Sequence, residues 1–275
     1  MSLHPDTWDL PTYLLITGGV LAYQGCRGGR RGLSEAAMSF LLLTLTALLL
    51  YAPFYAHYQA QYVGLAPVPA AERSPLGPFL AIWGFWLFLA LSQLAVWAQE
   101  TWPLRRWGQL IARWGWPKAR RWAWACYRRR CLLWGMGSFL LALAWALALG
   151  LIGHGHWVLA LTASPALMAG ALLLGGRADQ TTFFRRLLVL LALGILAGCE
   201  IVYLKDFLAG SEWRRMNTVF KFGIQAWVLL GLALGSALPI LWNKVAACRP
   251  WARLPWRAAC GLLAGAALVY PVLAI

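Results

Sequence analysis

The sequence predicts an all-α fold: a polytopic transmembrane helical bundle of about eight spans with its N-terminus outside. Three observations carry that expectation. The 275 residues are 61% hydrophobic and only 12% charged, far from the composition of an average soluble domain. Apolar runs near twenty residues long recur along the chain, each able to cross a hydrocarbon core of roughly 30 Å. Those runs are rich in Leu, Ala, Gly and Trp without the period-two alternation of barrel strands, and backbone groups in lipid must be satisfied within the segment, which leaves helices.

The expected spans are about 10–26, 36–59, 77–98, 131–153, 157–175, 187–204, 219–241 and 257–275. The opening "MSLHPDTWDL" carries Asp6 and Asp9 and no basic stretch, so the first apolar segment is expected to be a span and not a cleaved signal peptide. Residues 1–98 then form an N-terminal outer tail and three helices. Residues 99–130 form a basic, Trp-rich inner connection. In it Trp107, Leu110, Ile111 and Trp114 recur at helical spacing, with Arg105, Arg106, Gln109 and Arg113 on the other side, the pattern of a helix lying in the interface against anionic headgroups. Residues 131–275 form five further helices with an outer polar loop at 205–217. The first outer connection, "YVGLAPVPAAERSPLGP", reads as an irregular loop.

Orientation follows from Lys and Arg, which are in excess on the cytoplasmic side. With the N-terminus outside, 19 of the 24 basic residues fall in inner connections. The outer side keeps Arg73, Lys205, Arg214 and Arg215, and Lys221 lies within a span. The net charge of +15 is therefore a topology signal, and no nucleic-acid partner is expected. Six cysteines show neither metal-type spacing nor a disulfide framework. No phosphate loop of the GxxxxGK type, no HExxH and no GxSxG occurs, which removes support for nucleotide-driven and serine-hydrolase chemistry.

The polar residues that remain inside apolar stretches define the candidate site, because ionisable groups in a membrane are functional hypotheses by default. Glu200 lies in the outer half of the sixth expected span. If that helix persists, Tyr203 and Asp206 share its face. After the turn, Asn217, Lys221 and Gln225 recur at i, i+4 spacing down the seventh span. Between them Arg214 and Arg215 offer fork-shaped donors suited to phosphate, with Lys205 nearby in sequence. His57, at the outer end of the second span, joins these as a candidate contact. With His154 and His156 it has the residue types of a metal site, but two histidines in a tight turn are expected to be interfacial polar groups, and no metal ligand is assigned. A plain ion pair between Glu200 and Lys221, locking two helices, is the structural alternative.

The segment "CEIVYLKDFLAGSEWRRMNTVFKFGIQAWVLLG", above all "RMNTVFKF" at Arg215 to Phe222, resembles the signature of the uncharacterised YYY membrane-protein family, whose members look like relatives of the C-fold membrane glycosyltransferases. "LLYAPFYAHY" and "PLGPFLAIWGFWLF" extend the likeness. The resemblance implies a polyprenyl-phosphate-linked sugar as donor at the outer face of the cell membrane and a catalytic carboxylate on the first external loop. It also implies N-terminal spans absent from this sequence, so either a partner chain that supplies them or a longer protein of which this is a part is expected. On this reading Arg214, Arg215 and Lys221 hold the donor phosphate, with Tyr203, Lys205, Asn217, Gln225 and His57 lining the site. Glu200 or Asp206 acts as general base or holds a divalent metal beside the phosphate. A transporter or lipid-handling protein, with Glu200 and Lys221 gating a path, and a non-catalytic assembly subunit are the competing readings.

Overall fold

The computed structural model describes residues 9–57, 64–101, 143–175, 178–206, 208 and 210–273. Among them are eight helices: α1 (Asp9–Arg27), α2 (Gly29–His57), α3 (Leu76–Thr101), α4 (Leu143–Gly153), α5 (Trp157–Gly175), α6 (Gln180–Cys199), α7 (Met216–Ala246) and α8 (Pro250–Leu273). Each overlaps one expected span, and the helical membrane bundle holds. Five helices are long and apolar enough to cross a membrane: α2, α3, α5, α6 and α7. The interfacial inner helix expected within 99–130 and the start of the fourth span lie outside the described residues.

Two elements correct the expected helix-and-loop layout. The sixth span does not run to residue 204. α6 stops at Cys199, where the N–H of Glu200 donates to the Ala197 carbonyl and that of Ile201 to Gly198, closing the helix with tightened turns. The β-branched and aromatic run Ile201-Val202-Tyr203 then favours an extended backbone, and Val202–Lys205 forms strand β2. The first outer connection is not irregular throughout. Gly64–Pro67 forms strand β1, antiparallel to β2 with Gly64 opposite Lys205 and Pro67 opposite Val202, and Ala70–Glu72 makes one 3-10 turn. The expected helical face of Glu200, Tyr203 and Asp206 is therefore absent, because Tyr203 and Lys205 stand on a strand.

The chain divides into two compact units, 1–67 with 202–225 and 68–201 with 226–275. In the first unit α1 and α2 form a hairpin with almost no loop. Gly29 takes φ +69°, and at Gly25 and Gly32 the backbones come so close that a Cβ on Gly32 would lie 2.8 Å from the Gly25 carbonyl oxygen. The inner connection expected at 27–35 is thus mostly the first turns of α2. In the second unit α3 packs against α5 and α8, and α5 against α6. Leu89, Leu94, Leu172, Leu188, Leu193 and Leu230 are buried in it. Asp179 caps α6 by accepting from the Thr182 N–H, and hydrogen bonding from the Thr182 side chain, then from backbone N–H groups, holds its carboxyl below the usual carboxylate range.

Polar contacts fix the ends of the second unit. Lys244, in the last turn of α7, bonds Glu100 at the end of α3. Arg186, near the start of α6, donates at 2.7 Å to the Leu172 carbonyl near the end of α5, its guanidinium over the Trp97 ring. At the opposite end Ser74, just ahead of α3, bonds Glu200, just past α6.

Candidate functional site

The i, i+4 stripe on α7 is real and is pinned at both ends by carboxylates within the first unit. At its top, Asn217 donates from Nδ2 to Asp206 Oδ2 at 2.6 Å, while Asp206 Oδ1 accepts from the Leu208 N–H at 2.8 Å. The next residue, Thr218, accepts the Leu204 N–H of β2 at 2.9 Å, so the strand is tied to the helix. Two turns below Asn217, Gln225 donates from Nε2 to Asp9 Oδ1 and accepts from Thr12 Oγ1, both at 2.6 Å. Lys221, half-buried, sits between these two anchors. Asp206 and Gln225 are 5% and 8% exposed, so each hydrogen bond there replaces one that water would otherwise supply.

The remaining candidates divide between the units. Tyr203 is buried within β2, whereas Lys205 at its end is exposed. Arg214 and Arg215 are half-buried where the loop enters α7 and make further interactions. His57 is exposed at the end of α2, its Nδ1–H donating to the Pro53 carbonyl at 2.8 Å. These all belong to the first unit.

Glu200 belongs to the second. It is 2% exposed, and its two oxygens take the two donors of one residue: Oε2 accepts the Ser74 N–H at 2.9 Å and Oε1 the Ser74 hydroxyl at 2.6 Å. Both carboxylates singled out by sequence therefore hold backbone in place. A carboxylate has about four lone-pair directions, so the two bonds to Asp206 leave it acceptor capacity.

Thr12 and Ser74 were not among the sequence candidates. Asp9, with Asp6, reads from sequence either as a substitute carboxylate for the site or as an acid in a solvated tail. Its signal was the pair Asp9 and Thr12, one turn apart at the start of an apolar helix, which points both side chains the same way. Ser74 lies amid Pro-rich sequence and carried no signal at all. Among the described residues, no three His, Cys, Asp or Glu side chains gather as a metal-binding group.

A family model described as uncharacterized membrane protein (DUF2298) matches residues 2–230. No curated protein matches the chain. No solved structure matches it either.

Proposed function

The chain belongs to the DUF2298 family of uncharacterized membrane proteins, and from the polar seam in its first unit we propose a glycosyltransferase-like role, complete or as the donor-binding part of an enzyme. The ligand is a polyprenyl-phosphate-linked sugar, bound at the end of the bundle that the charge distribution assigns to the outside of the cell membrane. The carrying observation is the seam itself: Lys221 lies between Asn217 and Gln225, each fixed by a carboxylate on a separate element. A cation held between anchored neighbours loses little freedom on binding an anion. Arg214 and Arg215 add guanidinium forks one turn above.

In this reading the acceptor hydroxyl forms the new glycosidic bond at the anomeric carbon, and the bond from that carbon to the phosphate oxygen breaks. The phosphate keeps the electron pair, stabilised by Arg214, Arg215 and Lys221. Asp206 takes the acceptor proton on an oxygen lone pair that Asn217 and Leu208 leave open, and Tyr203 and Lys205 shape the wall beside it. A second reading has support from the carboxylates Asp206 and Glu200: with both engaged in holding backbone, the chain could bind the lipid without transferring sugar, as an assembly subunit.

Ligand-induced thermal stabilisation in nanodiscs tests the binding step. Each charge-assisted contact is worth about 1.5–3 kcal/mol, so Arg215→Ala weakens polyprenyl phosphate roughly ten- to a hundredfold. Arg215→Lys recovers part of this, and Arg249→Ala, in the turn between α7 and α8, changes little. Equal stabilisation of wild type and Arg215→Ala would defeat the proposal. Sugar release from a radiolabelled donor, lost in Asp206→Asn with binding kept, separates transferase from subunit.

A further inference from the structure

We propose that the corner where α7 turns into α8 binds the phosphate of an anionic phospholipid through Arg253 and Arg257. The site lies wholly within the second unit and is independent of the role proposed above. It starts from an imbalance of charge. Lys244, Arg249, Arg253 and Arg257 fall within residues 244–257, and no acid follows Glu212 in the chain. The acids of the second unit are Glu72, Glu100, Asp179 and Glu200. Glu72 precedes α3 and Glu200 follows α6, at the opposite end of these helices. At the near end Glu100 bonds Lys244, and Asp179 caps α6. Among the described residues no carboxylate pairs with Arg253 or Arg257.

Neutral groups hold the two arginines in place instead. The Arg257 guanidinium lies 4.7 Å from the centre of the Trp242 ring. Trp242 meets Trp256 edge-on with ring centres 6.0 Å apart. Trp256 is fixed in turn by α3: its Nε1 donates to Ser92 Oγ at 2.9 Å, and its ring centre is 5.5 Å from that of Phe88. Arg253 donates from Nη1 to the Ala246 carbonyl, the last of α7, at 3.4 Å. Stacking engages the face of a guanidinium and leaves its in-plane N–H fork for an anion. A bond as long as 3.4 Å is weak and readily gives way to a charged acceptor. Arg253 and Arg257 stand one turn apart on α8, with Cβ atoms about 5–6 Å from each other, so one phosphate reaches both. The corner beneath them is short. The Cys248 N–H donates to the Val245 carbonyl and those of Ala252 and Arg253 to the Arg249 carbonyl, each at 3.0 Å, and Pro250 opens α8 with its φ already helical. Little freedom is left to lose on binding.

The surroundings favour a lipid over a soluble anion. Trp251 and Leu254, one turn apart on α8, are 75% and 62% exposed and set apolar surface beside the arginines. From the corner α7 and α8 lead away as apolar helices, along which acyl chains can lie. Tryptophan and arginine together at helix ends mark the level of the headgroups, and the charge distribution assigns this end to the cytoplasmic leaflet. Basic pockets between helices on that side suit anionic headgroups.

The test titrates the full chain in neutral detergent with dioctanoyl phosphatidylglycerol, dioctanoyl phosphatidylcholine or inorganic phosphate and follows thermal unfolding. Wild type is expected to be stabilised by phosphatidylglycerol well beyond the other two. Arg253→Gln and Arg257→Gln each weaken its apparent affinity about tenfold. Arg257→Lys, which keeps the charge and loses the fork, falls between wild type and Arg257→Gln. The double variant Arg30→Gln with Arg31→Gln removes two exposed charges from the start of α2 in the first unit and responds as wild type does. Equal stabilisation by the two lipids would overturn the inference, and so would an unchanged response in both glutamine variants of α8. An equal loss in the α2 variant would reduce the effect to overall charge, and the site would fall. A response to inorganic phosphate matching that to phosphatidylglycerol would rule out the lipid as the selected occupant. None of these results bears on the seam of the first unit, which is tested at Arg215.

Discussion

Asp206 illustrates how a residue suited to chemistry can first be a residue of structure. Its two oxygens bridge the Leu208 N–H and the Asn217 side chain, across the turn that leads into α7. In so buried a place a carboxylate that lost either partner would be left short of donors, at a cost of several kcal/mol for a charged group. Asp206→Ala and Asn217→Ala should each lower the unfolding midpoint. The double variant should cost less than their sum, with a coupling of about 1–3 kcal/mol measured by a double-mutant cycle. Additive effects would show that the 2.6 Å contact does not form in the membrane. At this scale the sequence was informative where spacing is local: Asn217, Lys221 and Gln225 share a stripe because α7 is helical throughout. It was uninformative for Glu200 and Ser74, whose contact joins positions 126 residues apart, and no local pattern encodes such a pair.

Helices were legible as elements because twenty apolar residues in a row have few other uses, yet their ends were less so. α6 ends early because Val202, Tyr203 and Leu204 find strand partners at Pro67, Ala66 and Leu65, a pairing that hydropathy alone does not register. The α1–α2 turn was the opposite case. A run of glycines and arginines, "GCRGGRRG", reads as a polar loop, whereas the glycines allow two helices to meet almost without one. Gly32→Ala tests that account. The added Cβ would sit 2.8 Å from the Gly25 carbonyl oxygen, a backbone atom that cannot swing away. The hairpin must open, at about 1–3 kcal/mol by analogy with overpacked cores. Gly194→Ala, in α6 with nothing within 4 Å of the added carbon, should instead be neutral or stabilising by up to about 1 kcal/mol. Equal melting of the two variants would remove the close approach as the reason for the glycines.

At the scale of the molecule, the distribution of charge and the pattern of contacts bear on the same question by separate routes. The positive-inside count assigns the end of α3, the end of α7 and the start of α6 to one side of the membrane. Within the second unit, Glu100 bonds Lys244, and Arg186 bonds a carbonyl near the end of α5, so the helix ends that the count groups together are in contact. Neither route alone fixes the side, and α7 offers a direct measurement. It is one continuous helix of 31 residues, about 46 Å long at 1.5 Å per residue, more than the roughly 30 Å of a hydrocarbon core. Its two ends must emerge on opposite faces. Ser211 precedes its start and the exposed Cys248 follows its end. In a background with the other cysteines replaced, Ser211→Cys should react with an impermeant maleimide on intact cells, and Cys248 only after the membrane is opened. The reverse order would invert the topology and move the Asn217–Lys221–Gln225 seam, with the phosphate binding proposed for it, to the cytoplasmic face. Reaction of both from the same side would mean that α7 does not cross the membrane, and the seam would then lie on a surface helix with no buried site to line.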